Sequence, residues 1–263
     1  MVVSFANQKG GVGKTTSAIN VAASLGVFGK KVLLCDLDPQ SNSTSGVDVN
    51  KRELNLSIYD VLIGRNTLGE AVMKTKYDNL WLLPSNIHLA GAEIEFVEEQ
   101  TMSATDRFFK FKDNVSDAEH DFDYIIIDCP PSLSILTMNA LCGSDHVVVP
   151  MQCEFFALEG LSQLSNIIKL VRRNYNPKLN IAGILVTMYD GRLNLSQQVL
   201  EELKRFFPDK ILNTLIPRAT RLGEAPSFGM PIYYFDKASR ANDCYIEVSK
   251  EIEKICAASA EGV

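Results

Sequence analysis

The stretch Lys9-Gly10-Gly11-Val12-Gly13-Lys14-Thr15-Thr16 constrains this chain more than any other, because its glycines and lysines suit few purposes except holding phosphate. Three glycines let the backbone take positive φ and aim successive N–H groups inward, forming a nest for anionic oxygens. Ahead of the loop, Val2-Val3-Ser4-Phe5-Ala6 reads as a buried strand, and behind it Ile19, Ala22, Ala23 and Leu25 recur with helical spacing. Strand, glycine loop and helix in that order are the context a phosphate loop needs, with the positive end of the helix dipole beneath the anion. A nucleotide site made by Lys9, Gly10, Gly11, Val12, Gly13, Lys14, Thr15 and Thr16 is therefore expected. In it the Lys14 ammonium reaches the β- and γ-phosphates and the Thr15 hydroxyl reaches Mg²⁺.

Two acidic segments belong with that loop. Tyr124-Ile125-Ile126-Ile127-Asp128 is an apolar strand ending in a carboxylate. Ligands of open α/β sheets bind at the carboxyl ends of strands, which puts Asp128 beside the loop as part of a magnesium shell. Leu33-Leu34-Cys35-Asp36-Leu37-Asp38-Pro39-Gln40 supplies two more acids at alternate positions. Asp36 sits closer to the sheet and is expected to be structural, whereas Asp38 lies past the strand end and can approach a γ-phosphate. Thr15, Asp38 and Asp128 are the candidate magnesium ligands.

The common pattern G-x-x-x-x-G-K-[ST] requires glycine at position 8, where this chain has Gln8. The loop instead resembles the K-G-G-x-G-K-[ST] motif of the ParA/MinD family of deviant Walker A ATPases. In that family the early lysine, here Lys9, reaches across a face-to-face dimer to the partner's nucleotide, so the resemblance implies an ATP-dependent homodimer. Physically, two ammonium groups on one phosphate tail need concentrated negative charge to offset their repulsion. The resemblance also makes the D-x-D-P-Q segment a first switch, in which the acid matching Asp38 orients or activates the attacking water. Hydrolysis of ATP to ADP and phosphate would then rest on positioning and charge stabilisation by Lys9, Lys14, Asp38 and Mg²⁺.

Further segments are similar to the Soj-type, small chromosomal branch of that family: Leu89-Ala90-Gly91-Ala92-Glu93-Ile94-Glu95, Cys129-Pro130-Pro131-Ser132-Leu133, Gln152 to Leu161 and Thr187-Met188-Tyr189-Asp190-Gly191-Arg192. The stretch Ile216 to Ser227 resembles I-P-R-N-x-R-L-S-E-A-P-S, which lines the adenine in Soj-type proteins. Ala219 stands where that pattern has Asn, so Pro217 is carried over as an adenine contact and Ala219 through its backbone only. The absence of an N-K-x-D guanine motif also favours adenine; the nearest match, Asn50-Lys51-Arg52-Glu53, ends in Glu and comes too early. The branch implies non-specific binding to double-stranded DNA through Arg192 and Arg221, with Arg218 and Arg240 as further candidates. It also implies a ParB-like protein that stimulates hydrolysis, a cytoplasmic, nucleoid-associated location, and a role in partitioning a chromosome or plasmid.

Apolar runs alternate with helical patterns along the chain. Strands are expected at Val2–Ala6, Lys31–Cys35, Leu80–Leu83, Tyr124–Ile127, His146–Val149 and Ile181–Val186, with shorter ones near Ile211–Ile216 and Ile232–Tyr234. Helices are expected at Thr15–Leu25, Ser57–Ile63, Leu89–Glu99, Asp106–Asp117, Ile135–Leu141, Leu158–Arg173, Leu195–Phe207 and Ala241–Ala257. Strands unbroken by polar residues are covered on both faces. The expected fold is α/β, a P-loop NTPase with a doubly wound, mainly parallel sheet and helices on both faces. No linker or repeat divides residues 1–263, so one domain is expected.

Composition limits the alternatives. The chain has 263 residues and a net charge of −6, which excludes a generally basic nucleic-acid binder and confines DNA contact to a local patch. No run of about 18 apolar residues offers a membrane span, and the first strand begins at Val2 without room for a signal peptide. A MinD-like membrane ATPase would need a basic amphipathic tail; the last helix instead carries the stripe Tyr245, Val248, Ile252 and Ile255, which suits packing on the sheet. Six cysteines without a C-x-x-C pair, and no glycine-flanked pair, argue against an iron–sulfur reductase. An ATPase that positions a protein assembly stays open as an alternative.

Overall fold

The computed structural model describes residues 1–98, 103, 105–115, 118 and 120–261. Seven strands, β1 (Val2–Phe5), β2 (Val32–Asp36), β3 (Met73–Lys74), β4 (Leu80–Leu83), β5 (Tyr124–Asp128), β6 (His146–Gln152) and β7 (Asn180–Thr187), form one sheet in the order β3-β4-β2-β5-β1-β6-β7. Every neighbouring pair is parallel except β3 with β4. All residues of β1, β2 and β5 are buried, as unbroken apolar runs require of strands covered on both faces. Alternation divides their side chains between two cores. Ile125 and Ile127 join Val147 and Val149 in one, Ile126 joins Val3, Phe5 and Leu34 in the other.

The second core lies under helix α1 (Lys14–Val27) and the terminal helix α12 (Arg240–Glu261). Tyr245, Val248 and Ile252 are buried there, so the stripe on the last helix packs inward as expected. On the opposite face lie α5 (Leu89–Glu98), α6 (Lys110–Val115), α7 (Ile135–Gly143), α8 (Ala157–Asn174) and α9 (Asn194–Phe206). Shorter helices are α2 (Asn42–Gly46), α3 (Ile58–Leu62), α4 (Leu68–Ala71), α10 (Thr220–Glu224) and α11 (Ile232–Phe235). The α3 start is a capping box in which Asp60 accepts from Ser57, making Ser57 the cap of the expected Ser57–Ile63 helix.

Several expectations fail for local reasons. Ile232–Tyr234 is a helical turn instead of a strand: Pro231 fixes its entry at φ −58°, and Asn20 accepts the Ile232 N–H at 2.6 Å. Ile211–Ile216 runs beside β7 through Leu212 and Ile216 N–H bonds to Ile184 and Val186, but it is not a strand. Glu251 of α12 takes the Asn213 and Thr214 N–H groups at 2.7 and 2.9 Å and pulls the middle of the run out of the ladder. The Asp106–Asp117 region divides into a 3-10 turn at Asp106–Phe108 and α6, with Asp117 outside the described residues, as is Glu99 at the end of the expected Leu89–Glu99 helix. The exposed two-residue β3 carried no periodic signal.

Candidate nucleotide site

The central strand β1 delivers the phosphate loop at the carboxyl edge of the sheet, and the chain then enters α1 at Lys14. Gly11 and Gly13 take φ of 74° and 83°, in the left-handed region that a side chain strains. Gly10 does not, which corrects the expectation that all three glycines turn this way; a Cβ there would meet Pro131 at 3.8 Å. Three donors hold the loop from below. Lys14 Nζ donates to the Lys9 carbonyl at 2.9 Å, Gln152 Nε2 to the Gly11 carbonyl at 2.7 Å, and Thr187 Oγ1 to the Val12 carbonyl at 2.8 Å. With carbonyls satisfied, the N–H groups are left for an anion.

A cavity of about 410 Å³ opens above the loop. Gly10, Gly11, Gly13, Lys14, Thr15, Thr16 and Asp38 line it, together with Gln40, Asn42 and Pro131. Lys14 is buried, and that burial lowers its pKa, while the charges of Asp128 and Asp38 push it back up. A second cavity, of about 480 Å³, shares Gly13, Thr16 and Met188 with the first. Pro217 and Ala219, the candidate base contacts, line it, with Ile216, Leu222 and Tyr245 supplying further apolar wall. The second cavity is mainly apolar, whereas charged and polar side chains line much of the first, so the two joined spaces differ in the chemistry they offer a ligand.

The acids stand where the strands place them. Asp36 and Asp128 are partners in register on β2 and β5, and both are fully buried. Burial raises the Asp36 pKa, opposed by the Thr44 hydroxyl and N–H, each donating to Oδ2 at 2.7 Å. This anchors α2 and fits the expected structural role of Asp36. Burial, and next the charge of Asp36, raise Asp128 as well. Ser43 Oγ donates to Asp128 Oδ2 at 2.8 Å, whereas the buried Oδ1 has no hydrogen-bond partner. The Thr15 hydroxyl lies close enough to the Asp128 carboxylate to oppose that rise, and a buried carboxylate oxygen with a hydroxyl near it but no hydrogen bond of normal length suits a hard cation, so the donor set fits magnesium. Asp38 is buried at the cavity wall, where Oδ1 accepts the Gln40 N–H at 2.9 Å.

Lys9 points away from the cavity above its own loop and forms an ion pair with Glu154 of the same chain. The arginines are also engaged. Arg192, with its side chain 90% exposed, makes a two-pronged bond to Asp190 at 2.9 and 2.7 Å. Arg221 pairs with Glu224 at 3.0 Å and Asp236 at 3.3 Å. Arg192, Arg218 and Arg240 line one cavity of about 650 Å³, and Arg221 is not among its walls. Sequence reasoning gave no role to Gln152, Thr187, Ser43 or Met188. The signal that could have found three of them was their place in the Soj-like segments that begin at Gln152 and Thr187; the positive φ of Met188, 50°, is a property of the fold alone.

The fold and site define a P-loop nucleotide-binding protein with a mainly parallel sheet. A family profile described as an AAA domain matches residues 1–181. The chain is 48% identical over 251 residues to the sporulation initiation inhibitor protein Soj of Bacillus subtilis, covering 95% of this chain and 97% of that protein. It is 44% identical to the chromosome-partitioning ATPase Soj of Treponema pallidum over 94% of this chain and 95% of that one. Among solved structures, cobyrinic acid a,c-diamide synthase of Mycobacterium smegmatis with bound ADP and magnesium superposes with a TM-score of 0.81 at 35% identity, covering 95% of this chain and 92% of that chain. The chain belongs to the ParA/MinD family of deviant Walker A ATPases, on its Soj-type ParA branch.

Proposed function

We propose that this chain acts as one domain, a cytoplasmic, nucleoid-associated partitioning ATPase. ATP closes it into a sandwich homodimer, the dimer binds double-stranded DNA without sequence preference, and hydrolysis stimulated by a ParB-like protein resets it. The observation that carries the reading is the pair of joined cavities, with Lys14, Thr15 and Asp38 at the polar end and Pro217 and Ala219 at the apolar end.

Gly10 to Thr16 bind the phosphates through N–H groups and the Lys14 ammonium, which keeps donor capacity beyond its bond to the Lys9 carbonyl. Thr15 and Asp128 would hold Mg²⁺, with Asp38 as the third candidate. Bound there, the ion neutralises phosphate charge. Among the described residues no three His, Cys, Asp or Glu side chains cluster as a metal site of their own. Asp38 orients the attacking water from the cavity wall. Lys9 exchanges Glu154 for the partner's phosphates, and the neighbouring Phe155 and Phe156, 75% and 69% exposed, give apolar surface for a second copy to cover. For DNA, Arg192 must trade its two-pronged bond to Asp190, and Arg221 its pairs with Glu224 and Asp236, for phosphate, an exchange that salt opposes. No described helix is long and apolar enough to cross a membrane.

The test is binding of the purified chain to non-specific duplex DNA with ATP, with ADP and without nucleotide, at low and high salt. Binding that needs ATP and weakens with salt is expected, and Arg192→Glu with Arg221→Glu should abolish it while ATP-dependent dimerisation persists. A dimer that binds no DNA in any state would turn the reading toward a membrane or protein-assembly ATPase.

A further inference from the structure

An open groove with a volume of about 950 Å³ lies next to the phosphate cavity but outside it. Its walls come from residues 39–42, from 51, 52, 54 and 55, from α3 and Arg65, and from 86–88. Lys51, Arg52 and Arg65 bring three positive charges against the single lining carboxylate of Asp60. That carboxylate is already bonded to the Ser57 N–H and hydroxyl at 2.9 and 3.2 Å. Glu53 and Glu95 stand nearby, bonded to the Asn50 amide and the Tyr59 hydroxyl, each at 2.6 Å. In a chain with 26 basic and 32 acidic residues, this groove reverses the overall balance.

The cations are also unpaired. Elsewhere on the surface Lys30, Lys76, Arg221 and Lys250 sit beside carboxylates. Among the described residues no ion pair holds Lys51, Arg52 or Arg65. Lys51 donates instead to the Gln40 carbonyl at 2.6 Å, and the Arg65 guanidinium lies over the Tyr59 ring at 5.6 Å. Unneutralised cations around a concavity focus an attractive field on acidic partners.

We propose that this groove docks an acidic segment of a partner protein, one that carries apolar residues among its carboxylates. The apolar content selects a peptide over a nucleic acid: Leu54 and Tyr59 lie in the wall and Ile87 is 70% exposed at the rim, surfaces that a phosphate backbone does not use. The groove also communicates with the nucleotide site. Gln40 and Asn42 line both spaces, and Gln40, held by Lys51 through its carbonyl, donates its N–H to Asp38. A carboxylate that captures Lys51 would release Gln40 within two residues of Asp38. This inference is independent of the DNA contact at Arg192 and of the trans role of Lys9.

The test is fluorescence anisotropy of a fluorescein-labelled Glu-Glu-Leu-Glu-Glu-Leu-Glu-Glu peptide titrated with the full chain, with a Lys-Lys-Leu counterpart as control. Binding at low salt, selective for the acidic peptide and weakened roughly tenfold or more by Arg52→Glu with Arg65→Glu, is expected. Arg173→Glu, an exposed reversal on α8, should leave it unchanged, and retained ATP affinity in both variants shows that they fold. Absence of binding at low salt overturns the proposal, as does equal loss in both variants or equal binding of the basic peptide. If the double variant loses affinity for duplex DNA while its affinity for the acidic peptide is unchanged, the groove belongs to DNA and the proposal fails.

Discussion

Replacing Thr187 by valine isolates what holds the phosphate loop in shape. Thr187 ends β7, is buried, and its hydroxyl lies 2.8 Å from the Val12 carbonyl and 3.1 Å from the Met151 carbonyl. Its methyl side packs on the loop as well, since a Cβ on Gly13 would meet Thr187 Cγ2 at 3.6 Å. Valine keeps the shape and removes the donor, so the Val12 carbonyl is left buried without that hydrogen bond. An unsatisfied buried acceptor costs about 1–3 kcal/mol. For a chain of this size the melting temperature falls by about 2–4 °C for each kcal/mol lost. Because the affected carbonyl belongs to the loop, ATP affinity should fall too, by about tenfold for every 1.4 kcal/mol borne by the bound conformation. Differential scanning fluorimetry without nucleotide and isothermal titration with ATP measure the two effects. Thr187→Ser, which restores the donor, should recover most of both. A Thr187→Val protein that matches the unaltered chain in melting temperature and ATP affinity would refute the claim that this bond supports the loop.

Asp38→Ala should bind ATP but hydrolyse it about a hundredfold more slowly in a phosphate-release assay, the scale of a lost general base or water-orienting group; retained turnover would remove Asp38 from the chemistry. Gly26→Ala should lower the urea midpoint by the equivalent of about 1–3 kcal/mol, because a Cβ at that point of α1 would lie 2.2 Å from the Asp78 carbonyl oxygen, a backbone atom that cannot rotate away. His146 is buried with Nδ1 unpartnered, and burial lowers its pKa below the usual 6.5 against the opposing charge of Asp145. Folding therefore refuses a proton that the unfolded chain binds. Its penalty appears as pH falls below about 6.5 and stops growing below the lowered folded value. Urea midpoints against pH should be flatter for His146→Gln over that window, and parallel curves would place the pH dependence elsewhere.

Much of the fold was legible because it depends on short-range pattern. A run such as Tyr124 to Ile127, with no polar break, can exist only between two covered faces, and its terminal Asp128 falls at the ligand edge of the sheet by topology alone. Segments without period were not legible. Ile232–Tyr234 has the apolar content of a strand, and the entry set by Pro231 and the Asn20 bond make it a helical turn.

Residue type and spacing within single segments were enough for the phosphate loop, its following helix and the acids of two strands, and the stretch that lines the second cavity was found through its resemblance to Soj-type proteins. Tertiary structure alone decided what those groups touch. Register set Asp36 beside Asp128 across 92 positions of chain, and so raised both pKa values by burial and by the charge of Asp36 on Asp128. The ends of β6 and β7 brought Gln152 and Thr187 under the loop, and surface packing gave Lys9 to Glu154 and Arg192 to Asp190 while leaving Lys51, Arg52 and Arg65 without an ion pair among the described residues. Electrostatic pairing and desolvation depend on distance in space, and distance in space is the one quantity that local spacing along the chain does not contain.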